Sequence, residues 1–513
     1  MTPLADLVRV SSEVGGTSSR LAKVAALAGF LKRLEGDEIP IALPYLSGDI
    51  RQGRLSLGYA ILRAALGPPA VAATLTLKDV DDAFAELKTV KGKGAAERRA
   101  ALVSTLFGRA TGEEQDFLLR LLVGELRQGA LEGVMLEAVA AAAALPAAQI
   151  RRAAMLAGAL APVAAAALQG GAAALERFTV QPMRPVLPML AQSAEDPEAA
   201  LRQLGRALLD WKLDGARVQV HKAGSEVRVF TRNLNDVSAR VPELIEAVRG
   251  RARAGSLILD GEAIALRPDG RPYPFQVTMS RFGSQQDAQA LRAQRPLSVY
   301  FFDCLYRDGA SLIDQPLAER RAALDQVFPP ELLTPSLVSD DAAAARAFYE
   351  NVLERGHEGV MAKALDAPYE AGRRGSAWLK VKRARTLDLV VLAAEWGHGR
   401  RRGWLSNLHL GARDPATGSF VMLGKTFKGL SDELLRWQTR ELLKREVGRD
   451  EWSVTVRPEL VVEIAFNDLQ ESSQYPGGMA LRFARVKGYR PDKRPEDADT
   501  IDTVRRIYEQ SLA

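Results

Sequence analysis

The sequence predicts a multidomain protein with an all-α region first, an α+β region next and a small β-barrel last. Three observations lead to this prediction. The chain has 513 residues, whereas single hydrophobic cores stop growing near roughly 250 to 300 residues, so about three domains are expected. Apolar residues recur at helical spacing in the first third, where strand-like alternation is nearly absent. Short β-branched or aromatic runs, which are typical of strands, follow it.

The composition is that of a globular protein, with 47% hydrophobic and 26% charged residues. One cysteine, Cys304, excludes an internal disulfide and a four-thiolate zinc site. The first residues lack the apolar run of a signal peptide, and no apolar stretch reaches about 18 uninterrupted residues, so we expect a cytoplasmic protein without a membrane span. The net charge of +6 favours a polyanionic partner without naming one.

Residues 1–173 are predicted to form the all-α region. Helical spacing is clearest in segments 21–34, 117–126 and 131–143. Residues 46–53, LSGDIRQG, resemble residues 122–129, LVGELRQG, which lie 76 positions later. The repeat indicates two related helical halves, each of which brings backbone N–H groups and an arginine, Arg51 or Arg127, close to a phosphate. The alternative is a repeated helix cap.

Residues 181–383 are predicted to form the α+β region, which opens with a proline-fixed extended segment, QPMRPVLP. Predicted strands are 218–221, 227–230, 257–259 and 298–302, and predicted helices are 242–249 and 317–327. In residues 384–513, the predicted strands 387–393, 408–411 and 460–466 surround one helix, 431–446. A small barrel is the most economical architecture for this last region.

Lys212 is the candidate nucleophile. It lies in DWKLDGAR, between a helix and a predicted strand, with Asp214 and Arg217 close along the chain. A lysine ammonium is not nucleophilic at its ordinary pKa of about 10.4, so neighbouring cations or desolvation must release its proton, and Arg217 is one such cation. Taken alone, the pattern is also that of a charged surface turn.

Further segments in a fixed order strengthen this interpretation. They are FTRN, LDGEA, YFFD, EGVMAK, GRR, WLKVK, RFAR and RPDK. Singly, each has a structural explanation, such as a surface acid or a core aromatic. Jointly they describe a nucleotide pocket: a flat aromatic for a base, arginines and lysines for phosphates, and two carboxylates, Glu262 and Glu358, that suit Mg²⁺.

The ordered set resembles the nucleotidyltransferase motifs of ATP-dependent DNA ligases of the bacterial and archaeal type, with KLDGAR as the lysyl-adenylate motif. The resemblance covers nearly the whole chain. It implies a helical DNA-binding domain at 1–173, an ATP-grasp-like adenylation domain at 181–383 and an OB-fold at 384–513. It also implies ATP as adenylate donor, Mg²⁺, and a monomer that encircles nicked duplex DNA in the cytoplasm, in association with the nucleoid. Arg51 and Arg127 would contact the DNA.

The resemblance implies a role for each matched residue around the nucleotide. Lys212 would attack the α-phosphate of ATP to form lysyl-AMP. The adenylate would pass to the 5′-phosphate of a nick, and the 3′-hydroxyl would displace AMP. Asp210 would contact adenine, and Phe302 would stack on it. Arg217 and Arg232 would hold ribose and phosphate.

Metal and phosphate roles follow from the later motifs. Glu262 would hold the ribose and, with Glu358, the catalytic metal. The phosphates, where charge builds in phosphoryl transfer, would be neutralised by Arg374, Lys380 and Lys382. Asp492 and Lys493 would orient pyrophosphate, which requires the C-terminal domain to swing over the pocket and then away.

Two positions depart from the family pattern. Asp210 stands where glutamate is usual, one methylene shorter, and Ala484 replaces the usual proline of the last motif. The nearest alternative is an mRNA capping-type guanylyltransferase, which also uses a KxDG lysine and an OB-fold but lacks a helical front of this length. NAD-dependent ligases are disfavoured, because they need a four-cysteine zinc module and this chain has one cysteine. A non-catalytic DNA end-binding protein would have lost chemistry residues such as Lys212 and Glu358, which are present.

Overall fold

The computed structural model describes residues 1–53, 55, 57–126, 128, 132–283, 288–371, 374–383, 385–398 and 401–512. Two predicted site residues are affected by these bounds. Arg127 lies outside the described residues, and only the backbone of Arg374 is described, as the first residue of a strand.

Ten α-helices form the front region in the described part of residues 4–170. They are α1 (Leu4–Gly16), α2 (Arg20–Leu31), α3 (Ile39–Ser47), α4 (Tyr59–Ala64), α5 (Leu77–Thr89), α6 (Ala95–Gly108), α7 (Gly112–Leu122), α8 (Glu132–Ala143), α9 (Ala147–Ala157) and α10 (Leu160–Gly170). Capping boxes at Thr76 and Thr111 fix the starts of α5 and α7. Leu7, Phe84 and Val139 are fully buried in one shared core. The predicted all-α region is confirmed.

The repeated segment follows the end of a helix in both copies. α3 ends at Ser47, and Gly48 takes a left-handed φ of +82°. α7 ends at Leu122, and Gly124 has a φ of +74°. Both copies therefore contain a C-terminal helix cap, the alternative that the sequence left open. No helix begins within the described residues of either copy.

Two five-stranded sheets form the middle region. Its strands are β1 (Leu190–Ser193), β2 (Ala207–Lys212), β3 (Ala216–Ala223), β4 (Glu226–Thr231), β5 (Ser256–Ala265), β6 (Leu297–Arg307), β7 (Ala310–Ser311), β8 (Ser336–Ser339), β9 (Gly359–Ala364) and β10 (Arg374–Lys382). Its helices are α11 (Pro197–Leu204), α12 (Pro242–Arg251), α13 (Phe275–Gly283), α14 (Ala288–Gln294), α15 (Leu317–Val327) and α16 (Ala342–Glu354). The strand orders are β4-β3-β5-β6-β7 and β1-β10-β9-β2-β8.

The chain crosses from one sheet to the other at Lys212. β2 belongs to the second sheet and ends at Lys212, and β3 of the first sheet begins four residues later, at Ala216. β2 pairs with β9, which sets Lys212 opposite Gly359. The junction of the two sheets thus lies at the predicted nucleophile.

The C-terminal region is mostly β. Its strands are β11 (Arg385–Trp396), β12 (Leu405–Arg413), β13 (Phe420–Thr426), β14 (Glu446–Arg449), β15 (Ser453–Val456), β16 (Val461–Phe466), β17 (Asp468–Glu471), β18 (Met479–Arg482) and β19 (Arg485–Tyr489), with helices α17 (Asp432–Leu443) and α18 (Ile501–Leu512). Seven strands form one branched sheet, in which the long β11 pairs with β12, β15 and β16. A sheet domain is confirmed, but the ladders of the described residues do not show the predicted closed barrel.

The helices of the described ranges are shorter than a bilayer is thick. None of them alone is both long and apolar enough to cross a membrane. One pair, α8 with α9, passes the same length and composition test together, but it is bent by 118°.

Candidate active site

Lys212 shares a carboxylate with a second lysine. Its Nζ lies 2.5 Å from Oε2 of Glu358. The other oxygen, Oε1, accepts a hydrogen bond from Nζ of Lys382 at the end of β10. The three side chains are 17% to 25% exposed. Two amines and one acid therefore form a largely buried cluster at the junction of the sheets.

The charges of this cluster control the protonation of Lys212. Burial lowers the pKa of Lys212, but the charges of Glu358 and Glu262 raise it, and the result lies above the ordinary value. Burial and the positive charge of Lys212 lower the pKa of Lys382. Lys212 is therefore an ammonium in the nucleotide-free protein. It can become a nucleophile when other cations compete for the carboxylates.

Glu262 is the second acid that acts on Lys212. It lies in β5, opposite Arg217 of β3 and Tyr300 of β6. Burial raises the pKa of Glu262 to about 8, although the charges of Lys212 and Arg217 oppose this shift. Within the described ranges, no group of three or more His, Cys, Asp or Glu side chains is arranged to hold a metal. Two carboxylates nonetheless fit Mg²⁺, which keeps several of its waters as ligands.

Arg217 is held mainly by the protein itself. Its Nε and Nη2 donate to the two oxygens of Asp260 at 2.9 and 2.5 Å, and Nη1 donates to the carbonyl of Met189 at 2.7 Å. Nη2 also donates to the hydroxyl of Tyr369 at 3.2 Å. A guanidinium has five N–H donors, and these four bonds leave one of them for a ligand.

Asp210 and Phe302 both contact Lys363, the last residue of the EGVMAK motif, to which the sequence prediction assigned no role. The carboxylate of Asp210 is 1% exposed, and its Oδ2 accepts a hydrogen bond from Lys363 Nζ at 2.5 Å. Oδ1 lies 3.6 Å from Arg321 Nη1 and has no hydrogen-bond partner. Lys363 Nζ also lies 4.4 Å from the centre of the Phe302 ring. Asp210 therefore keeps one buried acceptor for a ligand.

The remaining predicted residues lie at other positions of the middle and C-terminal regions. Arg232 is exposed in the turn after β4. Lys380 lies in β10, in register with Met361. Asp492 pairs with Arg490 at 2.7 Å, and Lys493 donates to Asp388 at 2.5 Å, so the described contacts of both residues stay within the C-terminal region. Their predicted role in pyrophosphate orientation remains a prediction.

Arg51 lies far along the chain, in the helical region. Its side chain is 50% exposed and pairs with Asp81, which is 1% exposed. The same carboxylate accepts a hydrogen bond from Gln52 at 2.8 Å. The Arg51 charge is therefore compensated in this conformation, and contact with DNA remains a prediction, as it does for Arg127.

A basic cleft between the middle and C-terminal regions was not predicted. Arg482 of β18 donates to Asp214 at 3.3 Å, and its guanidinium lies 4.3 Å from the centre of the Phe275 ring. Glu358 and His357 line the same cleft. Three carboxylates line it beside six cationic side chains: Arg267, Arg271, Lys382, Arg383, Arg385 and Arg482. The RFAR motif contains Arg482. The contacts of Arg482 with Asp214 and Phe275 could not be predicted, because they depend on how the two regions pack together.

The two-sheet core, with a lysine amine held against carboxylates and a basic cleft beside it, is that of a nucleotidyltransferase. Three family models match the chain: "ATP dependent DNA ligase domain" over residues 188–382, "ATP dependent DNA ligase C terminal region" over 401–493 and "DNA ligase N terminus" over 67–140. The chain belongs to the ATP-dependent DNA ligases, and the family resemblance inferred from the motifs is confirmed.

Relatives support this along the whole length. A "Probable DNA ligase" of Anaeromyxobacter sp. (strain Fw109-5) is 59% identical over 99% of this chain and 99% of its own. Another, from Sorangium cellulosum (strain So ce56), is 56% identical over 99% of this chain and 96% of its own. The solved structure called "Pmar-Lig_PreS3" superposes with a TM-score of 0.60 over 94% of this chain and 99% of its own, at 17% identity, and is similar in fold.

Proposed function

We propose that the protein seals 5′-phosphate/3′-hydroxyl nicks in duplex DNA, with Lys212 as a covalent carrier of AMP. The observation that supports this most strongly is the cluster of Lys212, Glu358 and Lys382, because one carboxylate holds the amine of Lys212 beside a second cation. Membership of the ATP-dependent DNA ligases supplies the reaction class.

Three transfers complete the reaction. The neutral amine of Lys212 attacks the α-phosphorus of ATP, a P–N bond forms as the nitrogen loses one proton, and the bond to the β-phosphate oxygen breaks to release pyrophosphate. An oxygen of the 5′-phosphate at the nick then attacks the same phosphorus and returns the bonding pair to the lysine nitrogen, which regains a proton. The 3′-hydroxyl finally attacks the 5′-phosphorus, loses its proton and expels AMP.

The surroundings of Lys212 fit an adenine nucleotide. Oδ1 of Asp210, which has no hydrogen-bond partner, is a buried acceptor suited to the exocyclic amino group of adenine, and the ring of Phe302 is assigned to stacking. Arg217 and Arg232 are assigned to ribose and phosphate. The phosphate tail is assigned to the basic cleft, with Lys382 beside it, and to Arg374 and Lys380 of the same strand.

Glu262 and Glu358 are the residues that would hold Mg²⁺. When bound, the ion would screen the phosphate charge and compete with Lys212 for both carboxylates. The raised pKa of Glu262 means that this acid gives up a proton before it becomes a metal ligand near neutral pH.

The remaining assignments concern the whole chain. Residues 1–173 are assigned to DNA binding, with Arg51 and Arg127 on phosphates, residues 181–383 to adenylation, and residues 384–513 to an OB-fold barrel that brings Asp492 and Lys493 to pyrophosphate. A single molecule encircles the duplex in the cytoplasm, at the nucleoid. Contacts to phosphates carry no sequence information, so binding is salt-sensitive and independent of base sequence.

The test is label transfer from each nucleoside triphosphate. With Mg²⁺ and α-labelled ATP, the pure protein should acquire an acid-labile label, and a chase with nicked duplex should move that label to DNA and then release it as AMP. Labelling from GTP in place of ATP would support the capping-type alternative. DNA binding without any label would support the end-binding alternative.

The matched control compares two lysines of the middle region. Lys212→Arg keeps a positive charge near Glu358 but loses the amine, so label and sealing should disappear. Lys222→Arg alters a buried lysine of β3 that donates to the Ala254 carbonyl at 2.6 Å, and both activities should persist. Labelling of Lys212→Arg at the level of the unsubstituted protein would remove Lys212 from the proposal.

A further inference from the structure

The helical region and the nucleotide pocket share part of one hydrophobic core. Met155 and Leu156 of α9 are 3% and 6% exposed, and they belong to a buried cluster that otherwise consists of residues of the middle region. Tyr369 and Trp378 lie in that cluster, and Phe302 packs against it. The aromatic face assigned to adenine therefore rests on a core to which a helix of the front region contributes.

Hydrogen bonds also join α9 to the middle region. The carbonyl of Met155 accepts a hydrogen bond from the Leu187 N–H at 3.0 Å, and its Sδ accepts one from the Ala371 N–H at 3.3 Å. At the end of α9, a Cβ added to Gly158 would lie 2.9 Å from the carbonyl oxygen of Pro185. The helix thus approaches the backbone of the middle region closely at two points.

The two segments bonded to Met155 are the ones that hold Arg217. Two residues after Leu187, the Met189 carbonyl accepts from Arg217, and the Met189 N–H donates to the hydroxyl of Tyr369 at 3.0 Å. Tyr369 lies two residues before Ala371, and its hydroxyl donates to Asp260 at 2.8 Å. A shift of α9 would therefore move both segments that hold the Arg217 guanidinium, residues 187–189 and residues 369–371.

We propose that Met155 is a positioning residue for the nucleotide site, so that the helical region supports the first chemical step as well as DNA binding. Met155 acts through Tyr369 and Met189, which orient Arg217, and through the core beneath Phe302. The inference rests on the proposed adenylation of Lys212. It implies that removal of the front region would impair the first step as well as DNA binding.

The experiment measures the KM for ATP in self-adenylation by the full-length protein without DNA. Met155→Ala should raise this KM by about three- to tenfold, with a smaller effect on the rate at saturating ATP. Met155→Leu keeps most of the side-chain volume but loses the acceptor Sδ, so it should restore the KM only in part. Met135→Ala is the matched control, because Met135 is 0% exposed in α8 and packs only in the helical core.

A second pair of variants does not disturb any core. Arg152 of α9 pairs with Asp314 of the middle region at 2.5 Å, and Arg20 pairs with Glu137 inside the helical region at 2.8 Å. Both arginines are about half exposed, so both alanine variants should fold. Arg152→Ala should raise the KM for ATP, and Arg20→Ala should not.

The outcomes separate this inference from the proposed function. If the unsubstituted protein gains no adenylate, the proposed function fails first. If it gains adenylate and the KM values of Met155→Ala and Arg152→Ala equal those of their controls, the positioning role is refuted while the function stands. If Met155→Ala does not fold, the comparison of Arg152→Ala with Arg20→Ala decides the question.

Discussion

At the scale of single residues, Lys212 is protonated too tightly in the nucleotide-free protein to act as a nucleophile. Glu358 and Glu262 raise its pKa above the ordinary value, against the effect of burial. A cation that binds both acids removes the interaction that stabilises the ammonium. The resting pocket therefore stores Lys212 in an unreactive form, and binding of the substrate with its metal would activate it.

The first prediction concerns Mg²⁺ and pH. Because the pKa of Glu262 is raised to about 8, protons compete with Mg²⁺ for this acid below that pH. The Mg²⁺ concentration that half-saturates self-adenylation should fall by about tenfold per pH unit up to about pH 8 and then level off. Titrations of Mg²⁺ at saturating ATP, from about pH 6.5 to pH 9, measure this. A half-saturating concentration independent of pH would contradict the assignment of Glu262.

Sequence alone indicated the residues that carry chemistry but not those that hold them. The motifs contain Lys212, Glu262 and Glu358, and the structure brings all three together. Lys363 ends the EGVMAK motif but was assigned no role, and Tyr369 was not predicted, because the contacts of both residues depend on strand register. The Asp210 to Lys363 bond exists because β2 pairs with β9, and their order in the sheet cannot be read from residues about 150 positions apart in the chain.

At the scale of secondary structure, the close approach of β9 and β10 fixes the positions of Glu358 and Lys382. Gly359 begins β9 directly after Glu358, and it is paired with Lys382 at the end of β10. Its φ is +143°, and an added Cβ would lie 2.1 Å from the Val381 carbonyl oxygen. The shared carboxylate therefore depends on a residue without a side chain.

The second prediction is a pair of glycine variants in these strands. Gly359→Ala should lower the free energy of unfolding by about 1–3 kcal/mol, because it strains the backbone and separates the strands. It should also reduce self-adenylation. Gly375→Ala is the control in β10, where nothing lies within 4 Å of an added Cβ. Urea unfolding followed by tryptophan fluorescence measures the stability of both variants. Equal unfolding midpoints for the two variants would contradict the structural role of Gly359.

The predicted helices agree with the observed ones to different degrees. The pattern at 317–327 predicted a helix, and α15 has the same bounds. The predicted helix 431–446 is shorter in the structure, because α17 ends at Leu443 and β14 begins at Glu446. The barrel was inferred from a few strands, whereas the branching at β11 arises because one long strand pairs with three others.

At the scale of the whole molecule, Arg482 links the C-terminal region to the active site. It contacts Asp214, two residues after the nucleophile, and its side chain is only 12% exposed. Such a contact supports a conformation in which the C-terminal region covers the pocket for the reaction with ATP. The later steps of the proposed reaction need the DNA at the same place, so the proposal requires this contact to open again.

The third prediction follows from this movement. Arg482→Ala should slow self-adenylation by about 10- to 100-fold, since a charge-assisted hydrogen bond is lost. Sealing of a nick that already carries AMP should change little. Arg494→Ala is the control, because this arginine of the same region is 85% exposed. Equal loss in both reactions would show that Arg482 serves the fold or DNA binding rather than closure over ATP.

Attachment of AMP to Lys212 can be observed by peptide mass spectrometry. The protein is incubated with Mg²⁺ and ATP, kept at alkaline pH and digested. We expect one added adenylate, on the peptide that contains Lys212, and it should disappear after incubation with nicked duplex. An unmodified Lys212 peptide, or an adenylate on another lysine such as Lys382 or Lys363, would show that Lys212 is not the carrier of AMP.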